Sequence, residues 1–284
     1  MNQEKVFKSS ESERIVMEIY NRELAKWTLP YEEKRIQTRY GETYLIISGS
    51  KSNPPLILLH GSGGNAIAWS SDISEYSKDF RVYTIDIIGE AGKSAQNRPK
   101  LDSPAYSEWL EDIMNSLNIS KANIIGVSLG GWIALKFSIN HPERVLKLAL
   151  ESSTGIIKAR ISFIFKILLY AITGKADSRN MMKLLNNNQP IQEDILNFLN
   201  IMNTHYQYRT EVPPIFTDDE LKKLNMPVFY IGGDHDALLN TKKSAQRLNK
   251  LVTKATTCIL RDKGHSLTGT REWILPFLKG SDLI

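Results

Sequence analysis

Near the middle of the chain, a serine is flanked by glycines two positions away on either side, in the stretch Gly126-Val127-Ser128-Leu129-Gly130-Gly131. An apolar, β-branched run at 122–125 precedes this stretch, and a helical segment follows from Trp132. A serine hydroxyl is a poor nucleophile unless it is held clear of the backbone and beside a base. A sharp strand-to-helix turn holds it in this way, and the two glycines leave room for that turn. The pattern predicts Ser128 as a nucleophile, and a plain glycine-rich turn is the alternative.

A serine nucleophile requires a base, and the base requires an acid that orients it. Of the five histidines, His265 follows the last predicted strand and a glycine, so that its ring can reach over the sheet. Asp236 lies just beyond the apolar strand at 227–231. The carboxyl ends of parallel strands share one edge of a sheet, where Asp236 and Ser128 can converge. We therefore predict Ser128, His265 and Asp236 as nucleophile, base and acid.

Other acidic residues and histidines offer alternatives to this set. Asp234 and Glu151 remain candidates for the acid. The run Asp234-His235-Asp236 also suggests a metal site, but no second group of ligands has a suitable spacing, so no metal is predicted. His60 belongs to a turn and is predicted to make a structural hydrogen bond rather than to act as a base.

Two backbone N–H groups are candidates for binding the negative charge that develops on a carbonyl oxygen. The turn leaves the Leu129 N–H unpaired at a helix N-terminus. A glycine-rich loop, His60-Gly61-Ser62-Gly63-Gly64-Asn65, follows the strand at 56–59 and can bring the Ser62 N–H to the same oxygen. The residues predicted to contact the substrate are Gly61, Trp69 and Phe163.

Two segments match nucleotide-binding motifs in part. In the glycine-rich loop, Ala66 stands where the dinucleotide motif needs its third glycine. Gly92-Lys93-Ser94 is similar to the end of a phosphate-binding loop, but Ile87 stands at the position of the first glycine. We therefore expect no nucleotide to bind at either segment.

The predicted strands and helices alternate along the chain, which is typical of a parallel α/β sheet. A helix at 9–28, with Ser10 or Ser12 as its candidate cap, and a hairpin of strands at 35–40 and 43–47 come first, and a helix at 241–251 lies between the last two predicted strands. The other predicted strands lie at 56–59, 82–86, 122–125, 145–150, 227–231 and 256–260. Between 152 and 225 no strand is predicted, and two helices are predicted at 156–172 and 191–202. The first of these is largely apolar and must bury against the core, a ligand pocket or a membrane surface.

The composition is that of a globular protein, with 42% hydrophobic and 24% charged residues. The formal net charge is +5, but Lys and Arg are scattered, so nucleic-acid binding is not expected. A single cysteine, Cys258, excludes an internal disulfide. The chain contains no uncharged apolar run of about 18 residues and no apolar signal-peptide core, so no integral membrane segment is predicted. We expect a cytoplasmic monomer or homodimer that acts on a small molecule.

The order Ser128, Asp236, His265, with the glycine-rich loop upstream, resembles the α/β-hydrolase superfamily and its serine carboxylesterases. The segment Asp86–Ser94 is similar to the D-x-x-G-x-G-x-S loop of that superfamily, with one extra residue between its two glycines. Haloalkane dehalogenases and epoxide hydrolases resemble this pattern but use Asp where this chain has Ser128. The resemblance covers about residues 35–280.

The resemblance implies an eight-stranded, mostly parallel sheet flanked by helices, with a helical cap inserted after the sixth strand. The implied parts are an N-terminal helical extension at 1–34, a core at 35–152 and 226–284, and a cap at 153–225. The implied activity is cofactor-free cleavage of a carboxylic ester of a small to medium hydrophobic substrate through an acyl-enzyme. The alternatives are a thioesterase or lactonase, a non-catalytic ligand-binding protein, and a cap that docks on a partner or a membrane surface.

Overall fold

The computed structural model describes residues 5–174, 177–189 and 193–280. Its strands are β1 (Tyr31–Thr38), β2 (Gly41–Ser48), β3 (Pro55–Leu59), β4 (Arg81–Ile85), β5 (Ala122–Val127), β6 (Val145–Glu151), β7 (Val228–Gly233) and β8 (Ala255–Leu260). They form one sheet in the order β1-β2-β4-β3-β5-β6-β7-β8. The pairs β1–β2 and β2–β4 are antiparallel, and all the other pairs are parallel. The predicted eight-stranded, mostly parallel sheet is confirmed.

Helices cover both faces of this sheet. They are α1 (Ser10–Leu24), α2 (Ile73–Asp79), α3 (Ala105–Ser116), α4 (Leu129–Asn140), α5 (Ile161–Ile172), α6 (Ser178–Leu185), α7 (Glu193–His205), α8 (Asp218–Leu221), α9 (Thr241–Leu251) and α10 (Arg271–Lys279). Two 3-10 helices lie at Ala66–Trp69 and Pro142–Arg144.

Strand β3 shows why the sequences of the central strands are continuous apolar runs. Leu56 and Leu58 join the core cluster that contains residues of α2 and α10, whereas Ile57 and Leu59 join the cluster with residues of α3, α4 and α9. Side chains alternate between the faces of a sheet, and here both faces are covered, so every position must be apolar. The packing on two sides fixes the strand ends from which the loops of the site emerge.

Helix α1 packs on the core near the glycine-rich loop. Its N-cap is Ser9, whose hydroxyl accepts a hydrogen bond from the Ser12 N–H at 3.0 Å, whereas the sequence predicted Ser10 or Ser12 as the cap. The buried side chains Tyr20 and Leu24 of α1 share a cluster with residues of β2. Amphipathic burial against the sheet therefore supports this helix.

The hairpin begins earlier than the sequence suggested. Strand β1 starts at Tyr31, so the predicted boundary after residue 34 falls inside a strand. The sequence did not indicate this start, because the four charged side chains at 32–35 are exposed and show no alternating apolar pattern. The division into extension, core and cap otherwise stays a prediction.

The segment between β6 and β7 contains four described helices instead of the two predicted. The helix predicted at 156–172 begins at Ile161. The residues before it are not helical, because the Arg160 N–H donates to the Leu238 carbonyl oxygen at 2.8 Å. Helix α7 matches the helix predicted at 191–202, whose first residue, Ile191, lies outside the described residues. The short helices α6 and α8 were not predicted.

Candidate active site

Ser128 lies at the turn between β5 and α4, with φ 50° and ψ −107°. A positive φ is strained for a residue with a Cβ and persists only where the surroundings enforce it. Here backbone encloses the turn: a Cβ on Gly126 would lie 2.5 Å from the Gly130 oxygen, and one on Gly130 would lie 2.3 Å from the Leu59 oxygen. Glycine alone fits at both positions. The turn thus presents the Ser128 side chain at the carboxyl end of β5.

A chain of hydrogen bonds connects Ser128 to Asp236 through the imidazole of His265. The Nε2 atom of His265 lies 3.1 Å from the Ser128 Oγ, and the Nδ1 atom lies 2.8 Å from the Asp236 Oδ2. A carboxylate can only accept, so Nδ1 carries the proton and Nε2 is free to accept the serine O–H. The Asp236 Oδ1 accepts from the N–H groups of Leu238 and Leu239, each at 2.8 Å. The structure therefore brings the three predicted residues together.

The two alternative acids have other partners. The Asp234 Oδ1 lies 2.7 Å from the Nδ1 of His235. The Glu151 Oε2 accepts from the Thr270 hydroxyl at 2.9 Å, and burial raises the pKa of this carboxyl to about 7. Among the described hydrogen bonds, neither carboxyl contacts His265.

The two predicted oxyanion donors belong to the glycine-rich loop and to the first residue of α4. The glycine-rich loop approaches it closely, since a Cβ on Gly61 would lie 3.6 Å from the Ser128 Cβ. Within the described part of the chain, the N–H groups of Ser62 and Leu129 donate to no protein acceptor. Unpaired donors beside a nucleophile are available to a developing oxyanion.

The chain resembles known proteins over almost its whole length. The family model described as alpha/beta hydrolase fold matches residues 54–165. Carboxylesterase YbfK of Bacillus subtilis (strain 168) is 30% identical over 272 residues, which cover 92% of this chain and 91% of the relative. The chain belongs to the α/β-hydrolase family.

Solved structures agree with this assignment. The crystal structure of carboxylesterase CesB (YbfK) from Bacillus subtilis has a TM-score of 0.83 and 28% identity, and the match covers 96% of this chain and 100% of that chain. The crystal structure of naproxen esterase from Bacillus subtilis has a TM-score of 0.78 and 26% identity, with 91% and 93% coverage. The resemblance inferred from the motifs is confirmed.

In this α/β hydrolase, a buried glutamate that the sequence did not single out anchors the glycine-rich loop. The Glu90 Oε2 accepts hydrogen bonds from the Gly63 N–H at 2.7 Å and the Tyr206 hydroxyl at 2.6 Å. Burial raises the pKa of the Glu90 carboxyl, and the Arg209 Nε lies 4.0 Å from its other oxygen. The available signal was the departure from the D-x-x-G-x-G-x-S pattern, because Glu90 lies between its two glycines.

Two more buried polar groups of the hydrolase fix the same loop. The His60 Nδ1 donates to the Gly61 oxygen at 2.8 Å, and its Nε2 accepts from the Ile87 N–H at 3.0 Å. Burial lowers the pKa of His60 to about 4, so the ring is neutral and is used for structure. The Asp86 carboxylate accepts from the Ala66 N–H at 2.7 Å, and burial raises its pKa to about 6.

A cavity of about 350 Å³ lies beside Asp236, between α5, α6 and the loop after β7. Asp236 is the residue that it shares with the hydrogen-bonded chain. Its lining combines apolar side chains with cationic ones, namely Phe163, Tyr170 and Leu184 with Arg160, Lys166 and Lys183. Of the predicted substrate contacts, Phe163 therefore faces a cavity.

Trp69 occupies a different environment. Its side chain is 4% exposed and packs in the core cluster with Leu56, Leu58 and Ile73. The 3-10 helix that carries it lies over the sheet, which directs the ring into the core. This burial contrasts with the substrate contact predicted from the sequence.

The inserted helices contact the loop that carries His265. The His265 N–H donates to the Leu185 oxygen at the end of α6, at 2.6 Å. A Cβ on Gly264 would lie 2.1 Å from that same oxygen. The position of the imidazole is thus coupled to the end of α6.

The described residues contain neither a metal-binding cluster nor a membrane-spanning helix. No group of three or more His, Cys, Asp or Glu side chains among them is arranged to hold a metal ion. In the same part of the chain, no helix is both long and apolar enough to cross a membrane.

Proposed function

We propose that this α/β hydrolase is a serine carboxylesterase that works through an acyl-enzyme. The observation that carries the proposal is the hydrogen-bonded chain from Asp236 through His265 to Ser128, at a turn that holds the serine in a strained conformation. The names of the relatives support the reaction class, since they include a carboxylesterase and a naproxen esterase. The roles of the individual residues follow from the steps of ester hydrolysis by a serine nucleophile.

In the first half of the reaction, the His265 Nε2 takes the proton of the Ser128 hydroxyl while Oγ attacks the carbonyl carbon of the ester. The negative charge moves to the carbonyl oxygen, where the N–H groups of Ser62 and Leu129 bind it. Collapse of this intermediate breaks the bond to the alcohol oxygen. The protonated imidazole then gives its proton to the leaving alkoxide, and the acyl group remains on Ser128.

In the second half, water attacks the acyl carbon while His265 takes a proton from it. The tetrahedral intermediate collapses, Ser128 leaves with the proton returned by the imidazole, and the carboxylic acid is released. Asp236 keeps the Nδ1 proton pointing away from the serine and stabilises the positive form of the ring. This cycle consumes one water and needs no cofactor.

The proposed substrate is a small to medium hydrophobic ester. The cavity beside Asp236, with Phe163, Tyr170 and Leu184 in its wall, has a volume of about 350 Å³, within the range of small-molecule sites. Residues 153–225 act in this proposal as a cap over a core formed by 35–152 and 226–284. Thioesters and lactones would react by the same steps, so a substrate series must separate them.

The proposal predicts that Ser128→Ala abolishes both covalent labelling and turnover. A fluorophosphonate probe should label the natural protein and fail to label the variant. Hydrolysis of p-nitrophenyl esters, from acetate to palmitate, should fall by at least about a thousandfold in the variant, because the nucleophile is lost.

Ser266→Ala is the matched control, because Ser266 is exposed and adjoins His265 in the chain. This control should be labelled like the natural protein. Labelling that persists in Ser128→Ala would contradict the assignment. A protein that takes up the probe but cleaves no p-nitrophenyl ester would point to thioesters or lactones.

A further inference from the structure

Helix α5 exposes a continuous apolar stripe to solvent. Nine large hydrophobic side chains are exposed in the described part of the chain, and six of them lie on this helix. The six side chains, which we name the α5 stripe, are Ile161, Ile164, Phe165, Leu168, Leu169 and Ile172. Their exposed fractions run from 55% to 74%. Exposed apolar side chains that form one patch, rather than lying singly, mark an interaction surface.

The spacing of the stripe is that of one helix face. The positions are separated alternately by three residues and by one, which places all six side chains on one side of an α-helix. Other residues of the same helix line the cavity, among them Phe163, Lys166 and Tyr170. The helix therefore uses one side for packing over the cavity, and its other side has no partner among the described residues.

The charge of this segment favours an anionic occupant for the stripe. The sequence from 152 to 176 contains no Asp or Glu but four basic residues, at 158, 160, 166 and 175. Lys158 and Lys166 are exposed and form no ion pair with a carboxylate among the described residues, whereas the Arg160 Nε donates to the Leu239 oxygen at 3.0 Å. An anionic surface would satisfy this uncompensated charge, whereas a second copy of the chain would bring the same positive charge against it.

We propose that the α5 stripe docks on the surface of an anionic phospholipid bilayer. Helix α5 has 12 residues, which is too short to span a bilayer but suits a helix that lies in the interface. The apolar side chains would enter the boundary between headgroups and acyl chains, and the exposed Lys158, just before the helix, would lie among the phosphates. The proposal does not depend on the esterase activity.

The test is sedimentation of the purified protein with extruded vesicles. One set contains equal parts of phosphatidylglycerol and phosphatidylcholine, and the other contains phosphatidylcholine alone. The protein should sediment with the anionic set and much less with the neutral set, and high salt should weaken its binding. The double variant Phe165→Ser/Leu168→Ser should bind anionic vesicles at least about tenfold more weakly, because two apolar contacts are lost.

Two variants make this test specific. Val212→Ser is the matched control, because Val212 is 75% exposed but lies outside α5, and it should bind like the natural protein. Lys158→Gln removes a basic residue while keeping the stripe, and it should weaken binding to the anionic set alone. Near-ultraviolet circular dichroism checks the fold of every variant without reference to activity.

Three results would overturn the proposal. The natural protein could remain in the supernatant with both vesicle sets. It could bind both sets equally, which would remove the role of the basic residues. Finally, sedimentation equilibrium could show a dimer that the Phe165→Ser/Leu168→Ser variant loses, with no vesicle binding, which would make a second copy the occupant of the stripe.

Discussion

Asp236 and Glu151 are both buried carboxyl groups close to the Ser128 turn, but their hydrogen-bond partners differ. Asp236 accepts three hydrogen bonds, two from backbone N–H groups and one from the His265 ring. Glu151 accepts one, from the hydroxyl of Thr270. Donors stabilise the charged form of a carboxyl group, and desolvation disfavours it. The two groups therefore suit different tasks, and Asp236 is the one positioned to orient the His265 ring.

This difference predicts a pH-dependent stability that depends on Glu151. Burial raises its pKa from 4.5 to about 7, so in this window the folded protein holds a proton that the unfolded chain releases. The stabilisation is present below pH 4.5 and is lost as the pH rises through 7. Glu151→Gln should remove this dependence and should be more stable above pH 7 by up to about 3 kcal/mol. Urea denaturation at a series of pH values measures both effects.

The same variant tests the assignment of the acid. Glutamine can still accept the Thr270 hydrogen bond, and the Glu151 side chain does not contact His265 among the described residues. Ester hydrolysis should therefore be unchanged within a few fold. If hydrolysis collapses while the fold is kept, Glu151 rather than Asp236 orients the base. If both proteins lose stability equally with rising pH, the carboxyl titrates at its ordinary value in the folded state.

At the scale of elements, the ends of three strands and one inserted helix determine where the reacting groups lie. Strands β5, β7 and β8 are parallel, so the loops that follow them emerge at one edge of the sheet. Ser128, Asp236 and His265 each lie in one of these loops. The loop with His265 has an additional support, because its backbone is hydrogen-bonded to the end of α6.

Gly264→Ala should displace this loop and reduce the rate of ester hydrolysis. The new Cβ would lie 2.1 Å from the Leu185 oxygen, so backbone must move, and the adjacent His265 must move with it. A misplacement of this kind costs on the order of a hundredfold in rate. Steady-state kinetics with one short p-nitrophenyl ester measures the effect, which should fall mainly on kcat.

Gly269→Ala is the control for this prediction. Gly269 lies in the same segment before α10, and no heavy atom lies within 4 Å of a Cβ built there, although its φ of +73° adds backbone strain. It should lose some stability but keep most of its activity. Equal losses of activity in both variants would show that the contact with α6 has no special role.

Elements with local signals could be predicted from the sequence, and those held by distant contacts could not. Helix α9 was predicted at its observed bounds, 241–251; the Asn240 side chain caps it, and its buried positions recur at a helical spacing. Helix α6 is short, and its end is held by the distant loop of His265.

The residues of the candidate site also differ in whether local sequence signals could predict them. Ser128, Asp236 and His265 were predictable because each follows a strand at a recognisable turn. The role of Glu90 was not, because the departure from the motif marks its position but no local pattern indicates the contact with Tyr206, 116 residues away. The direction of the Trp69 ring could not be predicted either, since it depends on how a 3-10 helix lies on the sheet.

At the scale of the whole molecule, the N-terminal residues are joined to both the sheet and the inserted helices. Phe7 packs edge-on against Tyr206, whose hydroxyl donates to Glu90 beneath the glycine-rich loop. Tyr20 of α1 donates to Asp86 at 3.3 Å, and Asp86 in turn accepts from the Ala66 N–H that ends the same loop. The N-terminal helix therefore supports the loop that carries one of the proposed oxyanion donors.

If α1 is part of the core, Leu24→Ala should destabilise the entire fold and not only its own helix. Leu24 is 4% exposed and shares a cluster with Tyr44 and Ile46 of β2. The cavity left by the shorter side chain should lower the free energy of unfolding by about 2 to 4 kcal/mol. Asn21→Ala, at an exposed position of the same helix, should change it by less than about 0.5 kcal/mol.

Guanidinium denaturation followed by both far-ultraviolet circular dichroism and tryptophan fluorescence should give one shared transition for each variant. A separate early transition in Leu24→Ala, with the main one unchanged, would instead make residues 10–24 an extension that unfolds independently of the sheet.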